Sequence, residues 1–219
     1  DLRGLPTEAA WDLGRRSAEQ LLDLYRLEEG EDLRHLALSV WGTATMRNGG
    51  EDIAQMFALL GVRPLWDGPT RRMVELEVIP LSLLARPRVD VTLRMSGLFR
   101  DAFPQLVGWV NRAVQLVSSL DETDDKNPLA AITREEGPQS RIFGSAPGAY
   151  GAGLQALIDS GQWDNQDELG EAFLAWSSWS YDSDVRAQAN RAGLEGALRH
   201  VQVVLHNQDN REHDLLDSD

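Results

Sequence analysis

The chain opens on a helical period. After Pro6 and Thr7, the apolar residues Ala10, Leu13, Ala18, Leu21, Leu22 and Tyr25 fall on one face, and Glu28-Glu29-Gly30 ends the run. His35-Leu-Ala-Leu-Ser-Val-Trp-Gly42 then reads as a buried strand that empties into a loop, Thr43 to Gly50. Glu51 to Leu60 is helical and stops at Gly61, a residue type suited to the position just past a helix end. Two short strands, Val62 to Trp66 and Met73 to Ile79, flank the turn Asp67-Gly-Pro. Pro87 precedes another apolar run, Val89 to Met95, which gives way to Ser96-Gly97 and then to a long amphipathic helix from about Asp101 to Leu120.

Strand, glycine loop and helix, twice over, is the rhythm of a parallel sheet. Beyond it, Asp121 to Pro128 has four acids in its first five residues and reads as a solvated connection. Helical segments are predicted near 151–161, 167–179 and 185–205. The fold class expected is therefore α/β, a mostly parallel sheet with flanking helices followed by a mainly helical C-terminal half. The boundaries are 1–120 for the α/β domain and 121–219 for the helical region.

Composition narrows the class of partner. With 219 residues, 42% hydrophobic and 26% charged, the chain can bury a sizeable core. A formal charge of −14 argues against general binding to nucleic acid or to anionic membranes. There are no cysteines, which excludes disulfides, thiolate metal sites and a Cys nucleophile. No apolar run is long enough to span a bilayer, no signal-peptide pattern opens the chain, and a cytoplasmic location is the default expectation.

Candidate chemistry gathers in four places. In parallel sheets, ligands sit outside the carboxyl ends of the strands, which directs attention to the loops after Trp41 and Met95. The first offers hydroxyls, Arg47 and two glycines; the second delivers Phe99-Arg100-Asp101, where Arg100 either clamps a carboxylate or is tied up by Asp101. The run from Gly144 to Gly153 is rich in glycine and ends in a helix start, suited to an anion or simply to a tight turn. It lacks Gly-Lys-Ser/Thr and is not a nucleotide P-loop. Tyr150 within it is placed to stack on a flat ligand or to pack. Last, His206 to Asp219 holds two imidazoles and five carboxylates. If helical, it would line Asp209, His213 and Asp217 along one face, with His206 and Glu212 beside them. Its bland reading is a solvated acidic tail. Trp176 and Trp179 are read as core, and His35 and His200 as structural.

Several of these motifs occur together in one known family. Trp41-Gly-Thr-Ala-Thr-Met-Arg-Asn-Gly-Gly-Glu-Asp-Ile-Ala-Gln55, Leu60-Gly-Val-Arg-Pro64 and Ile79-Pro-Leu, then Arg86-Pro-Arg-Val-Asp-Val91, resemble the large subunits of aerobic cobaltochelatases (CobN) and their relatives, the magnesium chelatase H subunits. The resemblance continues through Ser96-Gly-Leu-Phe-Arg-Asp101, Arg141-Ile-Phe-Gly-Ser145, Gly148-Ala-Tyr-Gly151 and His206 to Asp219, and so covers nearly the whole chain. Members of that family are several times longer, so a fragment from the C-terminal part is expected. Thr43-Ala-Thr-Met-Arg47 and the His206–Asp219 run follow the cobaltochelatase wording; Trp-Gly-Thr, Asn207, Asp209, Glu212 and Asp217 are common to both branches.

The resemblance implies insertion of Co²⁺ into hydrogenobyrinic acid a,c-diamide on the aerobic route to cobalamin, with ATP hydrolysed by separate AAA+ partner subunits. The absence of a Walker motif agrees with ATP being handled elsewhere. It implies catalytic roles for Asp209, Glu212 and His213, metal contacts from His206, Asp209, His213 and Asp217, and tetrapyrrole contacts from Trp41, Thr43, Arg47, Arg100, Arg141, Tyr150 and Asn207. The arginines are expected to supply local positive charge to a carboxylated ring. Two other readings stand beside this one: a magnesium chelatase subunit acting on protoporphyrin, and a scaffold that docks the ATPase partners.

Overall fold

The computed structural model describes residues 2–151, 153–161, 163 and 165–208, apart from the side chains of 155–157. Helix α1 (Glu8–Glu29) starts where Thr7 Oγ1 accepts the Ala10 N–H at 3.1 Å, and ends at Gly30 in the left-handed region. Its buried face, Ala10, Gly14, Ala18 and Leu22, is a stripe of mostly small residues at i, i+4 spacing. That stripe lets α1 sink onto a second helix: a Cβ on Gly14 would lie 2.6 Å from the Gln55 backbone nitrogen.

Strand β1 (His35–Val40) follows, then α2 (Gly42–Asn48) and α3 (Glu51–Leu60). The segment after Trp41, expected as a loop, is thus a two-turn helix closed by Gly49 and Gly50. Strands β2 (Val62–Trp66) and β3 (Met73–Val78) pair antiparallel as a separate ribbon, outside the main sheet. A short turn of helix, α4 (Leu81–Leu84), leads to β4 (Asp90–Met95). The long helix expected from Asp101 is two helices, α5 (Gly97–Ala102) and α6 (Pro104–Ser118). Pro104 explains the break. It has no N–H to donate back into α5, but suits the first position of a new helix.

After α7 (Pro128–Glu136) come β5 (Ile142–Gly144), α8 (Gln155–Ser160), α9 (Gln166–Ser177), β6 (Trp179–Tyr181), β7 (Ala187–Ala189), α10 (Arg191–Leu198) and β8 (Val203–His206). The helix expected over 185–205 is corrected to strand, helix and strand. The correction has a tertiary cause: Val203 to His206 completes the sheet by pairing in parallel with β1.

The sheet has six strands in the order β7-β6-β5-β4-β1-β8. β5, β4, β1 and β8 run parallel, and β6 and β7 add an antiparallel edge. Strands from both sides of the acidic connection therefore share one sheet. The α/β, mostly parallel expectation holds; the later half is helical only in part, because it also gives four strands.

Register assigns the two faces. Leu36, Leu38 and Val40 stand beside Val91, Leu93 and Met95, all buried, in a core shared with Ile53, Phe57 and Leu60 of α3 and Leu106, Val110 and Val117 of α6. Each such side chain contributes about 1.5–3 kcal/mol by leaving water. The opposite face carries His35, Ala37 and Ser39 beside Asp90, Thr92 and Arg94. That second face is polar, yet its β4 members are buried too.

Two buried guanidinium groups hold the amino-terminal side of this sheet. Arg88, 1% exposed, donates to both carboxylate oxygens of Glu122 (2.7 and 2.8 Å) and to the carbonyls of Leu60, Gly61 and Ile79. The acidic connection is therefore anchored at Glu122 rather than wholly solvated. Arg141 grips both oxygens of Asp90 (2.8 and 2.9 Å), and His35 Nδ1 lies 3.3 Å from the same carboxylate. Burial by itself would raise the Asp90 carboxyl, but the hydrogen bond from His35 and the Arg141 charge outweigh it and hold the group below the usual carboxylate range.

The sign follows from linkage. A carboxyl depressed on folding contributes stability above its unfolded value, near 4, and that contribution is lost as pH falls through the folded value. Asp90→Ala should cost about 3–5 kcal/mol, because it strands the Arg141 guanidinium. Hydrogen exchange at the β1, β4 and β5 amides would report it: protection in the wild type should fade below about pH 4, and in the variant should be low at neutral pH as well.

Candidate functional site

Three parallel strands end side by side. Val40 of β1 stands opposite Met95 of β4, and Ser39 opposite both Arg94 and His206. Trp41, two residues beyond Ser39, emerges on the polar face of the sheet. There its indole N–H donates to His206 Nδ1 at 3.3 Å, and its ring meets the imidazole edge-on. The Arg94 guanidinium lies over the same indole, 5.8 Å from its centroid. Trp41, Arg94 and His206 therefore form one cluster, brought together by register.

Asn207 points the other way. Its Nδ2 donates to Asp52 Oδ1 (2.6 Å) and Gln55 Oε1 (2.7 Å), buried at the start of α3. The exit of β8 is thus tied to a helix far away in sequence. Between the strand ends, Ser96 accepts the Gly42 N–H at 3.2 Å and the Phe99 N–H at 3.1 Å through one hydroxyl, which seats the first turns of α2 and α5 next to each other. On α2, Thr43 and Arg47 are exposed.

A second cluster lies on the adjoining strand end. Arg100 is buried and donates to both oxygens of Asp101 (2.7 and 3.1 Å) and to the Ala146 carbonyl (2.9 Å). Its guanidinium also faces the rings of Tyr150 and Tyr181. The Tyr150 hydroxyl donates to Asp101 Oδ2 at 2.7 Å, while the residue as a whole is 58% exposed. The hydrogen bond from Arg100 holds the Asp101 carboxyl below its usual range, against a smaller opposing effect of burial. Burial pushes the Tyr181 phenol up, with Arg100 opposing it. Of the two roles open to Arg100, the geometry displays the structural one, an arginine that pins the 144–151 loop. That loop lies so close to α5 that a Cβ on Gly97 would sit 2.5 Å from the Ala149 carbonyl oxygen.

The structure thus brings Trp41, Thr43, Arg47, His206 and Asn207 to one edge, with Arg100 and Tyr150 alongside. It does not bring Arg141 there. Arg141 holds the first residue of β4, about 16 Å along the strand from the cluster at its far end. Asp209, Glu212, His213 and Asp217 lie outside the described residues. Among the described residues, no group of three or more His, Asp or Glu is placed to hold a metal ion.

Sequence reasoning does not single out Arg94. It is 8% exposed, donates to the Gly151 carbonyl at 2.8 Å, and leaves a buried Nε without a hydrogen-bond partner. The available signal is a lone arginine inside the apolar run Val89 to Met95. Asp52 and Gln55 enter the sequence reading only as part of a motif, and their link to Asn207 has no local signature.

Residues 1–219 match the family described as CobN/Magnesium Chelatase. The chain belongs to that family. It is 49% identical to the aerobic cobaltochelatase subunit CobN of Pseudomonas aeruginosa, over all of this chain and 19% of the relative. The magnesium-chelatase H subunit of Cereibacter sphaeroides is 33% identical over 93% of this chain and 17% of its own. The solved catalytic subunit of cobaltochelatase from Mycobacterium tuberculosis superposes with a TM-score of 0.95 at 43% identity, covering 99% of this chain and 19% of that one. This chain therefore spans about a fifth of the CobN relatives it matches. Among the described residues, no helix is long and apolar enough to cross a membrane.

The Asn207 link makes a prediction. Asn207→Ala leaves Asp52 and Gln55 short of a buried donor, at a cost of about 1–3 kcal/mol. Hydrogen exchange in the full-length protein should show faster exchange at 203–208 and at the first turn of α3, with β4 unchanged.

Proposed function

We propose that this chain is a section of the large subunit of an ATP-dependent cobaltochelatase, which inserts Co²⁺ into hydrogenobyrinic acid a,c-diamide while AAA+ partner subunits hydrolyse the ATP. One observation carries the choice of branch: identity is 49% and 46% to two cobaltochelatase subunits, against 29–33% to magnesium-chelatase H subunits.

The reaction makes two chemical demands. A hydrated divalent cation, here the substrate, must exchange its water for ring nitrogens, which favours oxygen and imidazole ligands that bind it weakly. Two ring N–H protons must also leave, which requires a base within hydrogen-bond reach. We assign metal delivery to Asp209, His213 and Asp217 and proton removal to Asp209, Glu212 and His213, in the segment that directly continues β8. His206 begins that segment. With Nδ1 accepting from Trp41, its neutral ring carries the proton on Nε2. Ligation through Nε2 would thus require the other tautomer and loss of the indole bond, so in this arrangement His206 is better suited to orienting Trp41.

The half-buried Trp41 and the exposed Thr43, Arg47 and Tyr150 of the strand-end cluster form the surface we assign to the macrocycle. Flat aromatic faces suit a flat ligand, and Arg47 adds charge to an otherwise acidic chain. Asn207 and Arg100 support that surface from behind, through α3 and the 144–151 loop. Arg141 has no part in it.

The test uses the full-length subunit and a triple Asp209, Glu212 and His213→Ala variant. Each is titrated with hydrogenobyrinic acid a,c-diamide and with protoporphyrin by absorption, then given Co²⁺, ATP and the partner ATPase. The wild type should bind the cobalamin precursor selectively, and the variant should bind it within about threefold yet metallate at least about 100-fold more slowly, the low end for removing an acid–base group. Normal metallation by the variant would move the chemistry out of this segment, and selectivity for protoporphyrin would place the chain in the magnesium branch.

A further inference from the structure

The geometry points to Arg94 as a binding site for a carboxylate on the periphery of the macrocycle, a specificity determinant that accepts the acid side chain of the ring and rejects its amide. The inference rests on the chelatase reading above and adds a contact to it.

Four observations support it. Arg94 lies on the central strand at its carboxyl end, with 8% of its surface exposed and its Nε lacking any hydrogen-bond partner. Among the described residues its guanidinium has one hydrogen bond, to a neutral carbonyl, and no ion pair. The other buried arginines differ: Arg88 has Glu122, Arg100 has Asp101 and Arg141 has Asp90. Burying a cation without a counter-charge is costly, and among the described residues the Gly151 carbonyl and the face of Trp41 are what offset it. Burial correspondingly lowers the Arg94 pKa, with no carboxylate acting to raise it.

Among the described residues, the position is also open on one side. Across Ser39, β8 is the outer strand of the sheet, and Val204, on the same polar face, is 74% exposed. A ligand lying over Trp41 and β8 would therefore reach the edge of the guanidinium. An arginine offers a planar fork that matches a carboxylate with two parallel N–H···O bonds. A carboxamide cannot take both, because its NH₂ end would face a donor.

The decisive variant is Arg94→Met, which keeps the apolar stem of the side chain and removes the guanidinium with its charge. It leaves no orphan behind, since the Gly151 carbonyl also accepts the Trp176 indole N–H at 3.2 Å. In the full-length subunit, two ligands are titrated by absorption: hydrogenobyrinic acid a,c-diamide, and the same ring with all its carboxylates converted to amides. The wild type should prefer the acid form by about tenfold or more. Arg94→Met should lose that preference by weakening the acid form alone, and its ligand-free melting temperature should stay level or rise. Arg94→Lys should restore part of the preference.

Equal preference in wild type and variant would overturn the assignment. So would equal weakening of both ligands with a lowered melting temperature, which would mark Arg94 as a structural residue or as the partner of an acid within the protein. A wild type that binds neither ring would defeat the chelatase reading, and this inference with it.

Discussion

Parallel pairing of β1 on both sides is the constraint from which the site follows. A strand with parallel neighbours at each edge sends every one of them out of the sheet at the same end, so Trp41, Ser96 and Asn207 emerge together although they are far apart in the chain. The period of two then sorts them by face. Trp41, Arg94 and His206 project to the polar side, while Asn207 turns back toward α3. A slip of one residue between β1 and β8 would reverse that assignment and send His206 into the α3 interface.

The two ends of this sheet are built for different tasks. At the amino-terminal end, charges are matched: Arg141 and His35 converge on Asp90, and Arg88 is saturated by Glu122 and three carbonyls. Such pairs are costly to break once buried, and they fasten β1, β4 and the strand that follows into one unit. At the carboxyl end, the matching is incomplete among the described residues. Arg94 has a neutral partner and an unsatisfied nitrogen, and Tyr150 is exposed. Unmatched groups over a rigid base are what a binding surface requires, because the frame has already ordered them.

This chain spans about a fifth of its CobN relatives. The Arg100–Asp101–Tyr150 cluster holds the adjoining loop in place. This separates the buried arginines into three kinds: Arg88 and Arg141, which hold the base of the sheet, Arg100, which holds a loop, and Arg94, which meets no acid among the described residues.

How much of this was legible in the sequence depended on the range of the cause. Helix α1, the limits of α3, strands β1 and β4 and the parallel α/β class were readable, because period, capping residues and turn glycines act over a few neighbours. The motifs carried the family as well. Local signals failed where tertiary contact decided the outcome. Val203 to His206 became a strand because β1 had a free edge, and the two glycines after Asn48 closed a short helix instead of a loop. Asp101 was legible beside Arg100 as a possible partner, and the fold showed the pair formed; only the fold showed that Arg141 is engaged by Asp90. Arg94 looked like an interruption of an apolar run, and became notable because no counter-charge stands beside it among the described residues. The sequence by itself determined the elements, the class and the kinship. The tertiary structure decided which charges are satisfied and which face they share, because charge balance depends on neighbours in space and not on neighbours along the chain.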